Sequence, residues 1–235
     1  HGTHVAGLVA ARADDGRGVA GVAPGARLLA VRTLERSCDG GTCTPVGDTD
    51  DVAAGVRWAV AHGAQVINLS LTAGRRLGPE LAAALDEAWD AGAIPVLAAG
   101  NRPGTYLARP TGVVVTATQR GGARAAYAPD VDGVPFGLAA PGGLEGDDDD
   151  TCRVGAAPAG IVSTFARDQG DGSGYGCLAG TSMAAPQVSG ALAVLLSMGY
   201  DRDVALERLV ATARPGPGLG AGQIDLAAAT AGPWP

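Results

Sequence analysis

Aromatic residues are scarce in this chain, making up 4% of its 235 residues. Large rings therefore cannot carry the core. With hydrophobic residues at 46%, the interior must be packed from Ala, Val and Leu, whose small volumes suit helices lying close on a sheet. Positive charge is also short. Lys and Arg number 17 against 24 Asp and Glu, for a net charge of −7. The basic cluster on which phosphate-backbone binding depends is missing, which argues against nucleic acid as a partner. No apolar run approaches the roughly 20 residues of a membrane-crossing helix, and no basic-then-apolar leader opens the sequence. Zinc signatures are absent too: there is no CxxC pair and no HExxH.

The four cysteines instead fall as Cys38 and Cys43 in "CDGGTC", then Cys152 and Cys177. An even count in Gly-rich loops reads as two disulfides, Cys38 with Cys43 across a Gly-Gly turn and Cys152 with Cys177. Disulfides place a protein outside the cytoplasm. Glycine is abundant, at 38 residues, and with 15 prolines it indicates many tight turns rather than a low-complexity chain.

Apolar periodicity alternates between short and long segments, as expected of one α/β domain over residues 1–235. "HVAGLVAAR" reads as a helix, "ARLLAVRTL" as a buried strand and "DTDDVAAGVRWAVAHG" as a helix stopped at Gly63. "QVINLSL", "AIPVLAAG" and "TGVVVTATQ" read as strands, with the helix "GPELAAALDEAWDAG" between the first two. This order predicts a mostly parallel sheet with helices on both faces, and functional groups at the carboxyl edge of the strands. Residues from about 121 to 176 read as a long loop-rich region, including "EGDDDDTC". Asp oxygens suit calcium, but four consecutive Asp lack the alternating spacing by which a loop wraps that ion, so a solvated loop is the preferred reading. The chain then closes with the helices "TSMAAPQVSGALAVLLSMG" and "DRDVALERLVATA" and a short one in "GAGQIDLAAATAG".

Three segments can carry chemistry. "HGTHVAG" sets His1 at a helix start, and imidazole is the natural general base near neutral pH. "AGTSMAAP" sets Ser182 in the first turn of the long apolar helix, where free N–H groups favour developing negative charge. "VLAAGN" ends a buried strand at Asn101, whose amide can point into the crevice as an oxyanion donor. Each alone has a plainer explanation: a structural histidine, a helix cap at Thr181 or Ser182, and a turn-forming Asn. His4, three residues after His1, has no third ligand nearby and reads as packed or hydrogen-bonded inside the fold, and His62 before Gly63 as a helix C-cap.

Together the three segments resemble the subtilase, or subtilisin-like, family of serine proteases. "HGTHVAG" is similar to its histidine block, "GVAPGARLLAVRTL" to the segment after it, "VINLSL" to its substrate strand, "AAGN" to its oxyanion block and "GTSMAAPQVSG" to its serine block. The resemblance implies a three-layer α/β/α fold and peptide-bond hydrolysis through an acyl-enzyme. His1 is then the base, Ser182 the nucleophile and Asn101 the side-chain oxyanion donor. It also implies an extended polypeptide substrate lying along Ser70, Leu71 and Thr72 on one side, along Val46 and Gly47 on the other, and beside Ala99 and Gly100. "SLTAG" departs from the family's usual "SLGG", so Thr72 and Ala73 narrow the specificity pocket.

The resemblance further implies a pro-segment and no cofactor for the chemistry; a monomer outside the cytoplasm or at the cell surface is expected, and the high Ala, Gly, Arg and Asp content points to a bacterial source. The family's aspartate lies on a strand upstream of the histidine block, and no Asp of this chain sits in a matching block. The expectation is that the acid precedes His1, and that this chain alone lacks both it and its strand and is nearly inactive. The rival expectation is a non-catalytic subtilase-like module that holds peptides without cutting them. An esterase is disfavoured because the chain has no GxSxG elbow.

Overall fold

The computed structural model describes residues 1–39, 42–71, 77–106, 110–144, 160–166 and 172–232, with 36, 38, 39 and 42–45 described by backbone alone. At its centre lies a parallel sheet in the order β3 (Val66–Leu69), β4 (Ile94–Ala98), β5 (Val113–Thr118), β6 (Gly137–Pro141). Every residue of β4 and β5 is buried. That explains why "IPVLA" and "VVVTAT" read as nearly continuous apolar runs rather than as an alternation: helices cover both faces.

One face carries α2 (Thr49–Ala61) and α3 (Pro79–Asp90). Val52, Val56, Leu81 and Leu85 from these helices close on Ile67, Leu69 and Leu97 of the sheet. The opposite face carries α4 (Thr181–Ser197), α5 (Arg202–Thr212) and α6 (Leu226–Thr230), where Val188, Leu192, Leu195, Leu206 and Leu209 close on Ile94, Val96, Val113 and Val115. The result is the expected three-layer α/β/α architecture. Local sequence explains the helix ends. Asp48 accepts the Asp50 N–H at the start of α2, Asp201 accepts the Val204 N–H at the start of α5, and Pro79 opens α3 at a position that needs no N–H donor. Gly63, with φ of +80°, takes the left-handed conformation that ends α2.

Two antiparallel hairpins flank the sheet. β1 (Glu35–Asp39) pairs with β2 (Thr42–Val46), with Cys38 directly opposite Cys43. β7 (Ile161–Thr164) pairs with β8 (Tyr175–Leu178). The amino-terminal helix α1 (Gly2–Ala10) packs against both α4 and β7. Gly7 permits this approach, since a Cβ there would lie 2.5 Å from Ser163 Oγ.

Two expectations are corrected. The stretch "ARLLAVRTL" forms no regular element and pairs with no described strand, and Leu28, Leu29 and Val31 are 52%, 47% and 38% exposed. An apolar run becomes a buried strand only when a neighbour takes up its N–H and C=O groups, and no described strand does so here. The region from 121 to 176, expected as loop-rich with no strand picked out, contains β6, β7 and the start of β8. These strands are only four or five residues long, too short to show a clear apolar alternation, and β6 is made largely of Gly and Ala.

Leu192, fully buried where α4 meets the sheet, tests the larger core. Leu192→Ala should destabilise the protein by about 2–5 kcal/mol, read as a lower urea midpoint.

Candidate active site

Ser182 is the second residue of α4, at the helix end where backbone N–H groups lack intrahelical partners. Gly180 caps the helix at φ of +146°. A side chain there is doubly excluded, because a Cβ would also come within 2.9 Å of Asn101 Nδ2. The turn before Ser182 thus lies directly under the Asn101 amide.

Thr181 holds these two parts together and is fully buried. Its N–H and its hydroxyl both donate to Asn101 Oδ1, at 2.9 and 3.0 Å, while Gly100 N–H donates to the Thr181 hydroxyl at 3.0 Å. A backbone N–H can be received only by the oxygen of the amide, so this contact settles which way the Asn101 amide faces. The oxygen is committed to Thr181, and Nδ2 is the end left to act as a donor. Asn101 itself is exposed and lies three residues beyond the end of β4, at the carboxyl edge of the sheet.

A second support lies beneath the turn. The buried Tyr127 hydroxyl lies 2.9 Å from the Gly142 carbonyl and 3.0 Å from that of Gly143, and Gly180 N–H donates to the Gly142 carbonyl at 2.9 Å. Gly142 is squeezed, since a Cβ there would lie 2.4 Å from the Ala117 methyl. On the other side of Ser182 stands Ser70, just past β3. Its hydroxyl donates to the Ser182 carbonyl at 2.8 Å, and Ser182 Oγ lies 3.4 Å from the Ser70 carbonyl.

Ser182, Asn101, Gly100 and Ser70 therefore converge where β3, β4 and α4 meet. Ala99 lies buried beneath in a small cluster with Val114, Val131 and Val134. Leu71 packs toward the α2–α3 core, and Val46 is exposed at the end of β2, followed by exposed Gly47. Thr72, Ala73, Cys152 and the Asp147–Asp150 run lie outside the described residues. Cys177 is disulfide-bonded. Among the described residues, no group of three or more His, Cys, Asp or Glu is placed to hold a metal, and no helix is long and apolar enough to cross a membrane.

His1 caps α1 through its carbonyl, which accepts the Val5 N–H at 3.0 Å, and its imidazole is exposed. No hydrogen bond joins it to Ser182 among the described residues. The parts that sequence reasoning missed are Thr181, read only as a helix cap, and the Ser70 and Tyr127 hydroxyls. Their roles rest on partners 15 to 112 residues away in sequence, which no local pattern signals.

His4 is 0% exposed. Its Nε2 donates to the Ile161 carbonyl at 2.9 Å and its ring stands edge-on to Phe165 at 6.3 Å, while Nδ1 has no partner among the described residues. Burial holds its pKa below the ordinary 6.5, outweighing the carbonyls of Ile161 and Gly176, which favour the charged ring. His62 donates from Nδ1 to the Trp58 carbonyl at 2.8 Å and stacks on the Trp58 ring, a C-cap as expected.

A three-layer chain that gathers its polar groups at the carboxyl edge of a parallel sheet, against the start of a buried helix, belongs to the α/β/α class. The subtilase family model matches residues 1–216, and the chain belongs to the subtilase family. It is 35% identical over 204 residues to thermitase of Thermoactinomyces vulgaris, covering 85% of this chain and 62% of that relative. To an extracellular protease of Xanthomonas campestris pv. campestris it is 34% identical over 252 residues, covering 97% of this chain and 39% of that one. The chain thus spans less than two thirds of the length of these relatives. Among solved structures, a protease of Pseudoalteromonas arctica PAMC 21717 superposes with a TM-score of 0.79 at 33% identity, covering 97% of this chain and 69% of that one.

A buried histidine with a lowered pKa takes up its proton more readily in the unfolded chain. Stability due to His4 is therefore complete above pH 6.5 and is lost as pH falls below it toward the lowered folded value. The melting temperature should fall between pH 7.5 and pH 5, and should fall less steeply in His4→Gln.

Proposed function

We propose that this chain is the greater part of the peptidase domain of a secreted bacterial serine endopeptidase. The observation that carries this reading is the commitment of Asn101 Oδ1 to Thr181, which turns Nδ2 toward the turn that bears Ser182. An amide donor and a helix-start N–H held side by side suit an oxyanion that develops on a carbonyl attacked from Ser182.

In this mechanism Ser182 Oγ attacks the scissile carbonyl and its proton passes to His1. The tetrahedral oxyanion is held by Asn101 Nδ2 and Ser182 N–H. His1 then returns the proton to the leaving amine, an acyl-serine remains, and a water activated by His1 hydrolyses it. These steps use side-chain and backbone groups only. The substrate is an extended polypeptide that adds as a strand along Ser70–Thr72 and along Val46 and Gly47, where Val46 stands 47% exposed.

The acid that orients His1 comes from a strand upstream of it. Two features support that placement. β3 is the outer strand of the parallel sheet, with no described strand on its far side. The apolar stretch of Leu28, Leu29 and Val31 stands exposed, and it runs along the same helix layer, where a Cβ on Gly55 of α2 would touch Thr33 at 2.5 Å and Val31 at 3.1 Å.

Extracellular location is supported by the disulfide at Cys177 and by the opposition of Cys38 and Cys43, since facing residues of an antiparallel pair lie about 4.5–5.5 Å apart at Cα, within disulfide reach. Two disulfides, Cys38 with Cys43 and Cys152 with Cys177, then brace the loops around the substrate groove.

In the full-length protein, a fluorophosphonate should label Ser182 and fail to label Ser182→Ala. An unlabelled wild type would leave a peptide-binding module as the better reading. Asn101→Ala should lower turnover by about 10²–10³-fold, the loss typical of removing one oxyanion donor, with the melting temperature little changed. Mass spectrometry of the secreted protein should find Cys38 and Cys43 joined, and free thiols there would refute the brace.

A further inference from the structure

α4 contains a proline, Pro186, four residues after Ser182. In an α-helix the N–H of residue 186 would bond the carbonyl of residue 182, and proline has no N–H to give. The Ser182 carbonyl is thereby denied its ordinary helical donor. The Ser70 hydroxyl takes that place, donating to it at 2.8 Å from the end of β3.

The Ser70 hydroxyl is itself directed. Asn68, in β3, donates from Nδ2 to Ser70 Oγ at 2.9 Å, so the hydroxyl accepts from one side and its single proton is free for Ser182. The Asn68 amide is oriented in turn by the buried Ser189 of α4, whose hydroxyl lies 2.9 Å from Asn68 Oδ1 and 3.1 Å from the Ala185 carbonyl. The chain Ser189–Asn68–Ser70–Ser182 thus leaves α4, crosses to β3 and returns to α4 at the nucleophile.

We propose that Asn68 is a positioning residue for the reaction: acting through the Ser70 hydroxyl, it fixes the backbone of Ser182 at the carbonyl that Pro186 leaves open. This rests on the protease reading given above. The consequence is geometric. The tether holds the carbonyl side of Ser182, while its N–H and Oγ on the same residue must meet the substrate carbonyl, and displacements of about 1 Å at such a residue cost up to 10²-fold in rate.

The test uses the full-length protein and a small fluorophosphonate, whose phosphorus is attacked by Ser182 Oγ with loss of fluoride, so that it reports the nucleophile's reactivity without strand addition along Ser70. Asn68→Asp keeps the shape and the acceptor for Ser189 but replaces the Nδ2 donor with an acceptor, which draws the Ser70 proton away from Ser182. We expect a labelling rate about ten-fold lower, with the pH inflection unchanged because the base is untouched. Ser70→Ala should fall by a similar factor, and Asn68→Asp/Ser70→Ala should label no more slowly than Ser70→Ala alone, since the two residues act on one bond.

Should Asn68→Asp not fold, Pro186→Ala carries the test: it restores an N–H for the Ser182 carbonyl, and in that background Ser70→Ala should cost less than about three-fold. The proposal is overturned if the Asn68 and Ser70 effects multiply, if either variant labels at the wild-type rate, or if Ser70→Ala costs as much in Pro186→Ala as in wild type. A melting temperature that drops while labelling is unchanged also overturns it, because that is the mark of a purely structural asparagine. Failure of wild type to label removes the protease reading first, and the positioning role with it.

Discussion

The site depends on one buried threonine. Thr181 joins the loop after β4 to the start of α4 by three hydrogen bonds, two donated to Asn101 and one accepted from Gly100. These elements are 80 residues apart in sequence. Packing of α4 on the sheet and the Ser189–Asn68 bond set the helix against the strands along its length, but the helix start must also be held against the loop after β4. Thr181 supplies that constraint where it matters, and Tyr127 beneath the turn and Ser70 beside it add two more points of contact. A rigid body needs three non-collinear supports, and the Ser182 turn has them.

The composition makes such close support possible. Ala84, Ala88, Ala184, Ala185 and Ala191 are fully buried. Gly142 and Gly180 lie where even a methyl group would collide with its neighbours. Small residues let α4 sit near enough to the strand ends for short side chains such as Ser and Thr to bridge the gap. A core of large aromatic rings would hold the layers further apart and demand longer bridging groups. The low aromatic content therefore goes with the short hydrogen-bonded bridges around the site.

Much of this was legible in the sequence. Caps and period located α1 through α5, because helix ends are set by residues within a few positions of one another. The buried strands β4 and β5 announced themselves by apolar runs. Ser182 and Asn101 sit where an element ends, but they stood out only when their blocks were taken together with the histidine block and the resemblance these carry. What stayed hidden depends on distant contacts. Residues 26–34 have the composition of a strand, yet strand formation requires a partner, and that is not a local property. The strands β6, β7 and β8 are too short to stand out, and β6 is made largely of small residues. The Thr181 and Ser70 hydroxyls are ordinary in sequence and acquire their roles only when β3, β4 and α4 are brought together.

The outer edge of β3 and the exposed leucines at 28 and 29 have a consequence of a different kind. Unpaired strand edges beside apolar surface are templates on which other chains assemble. The β3 edge, on which no described strand lies, is a seat for a strand from a second molecule, and a protein that leaves such an edge open tends in concentrated solution toward intermolecular sheet growth. Colloidal behaviour is thus a direct readout of whether that edge is covered.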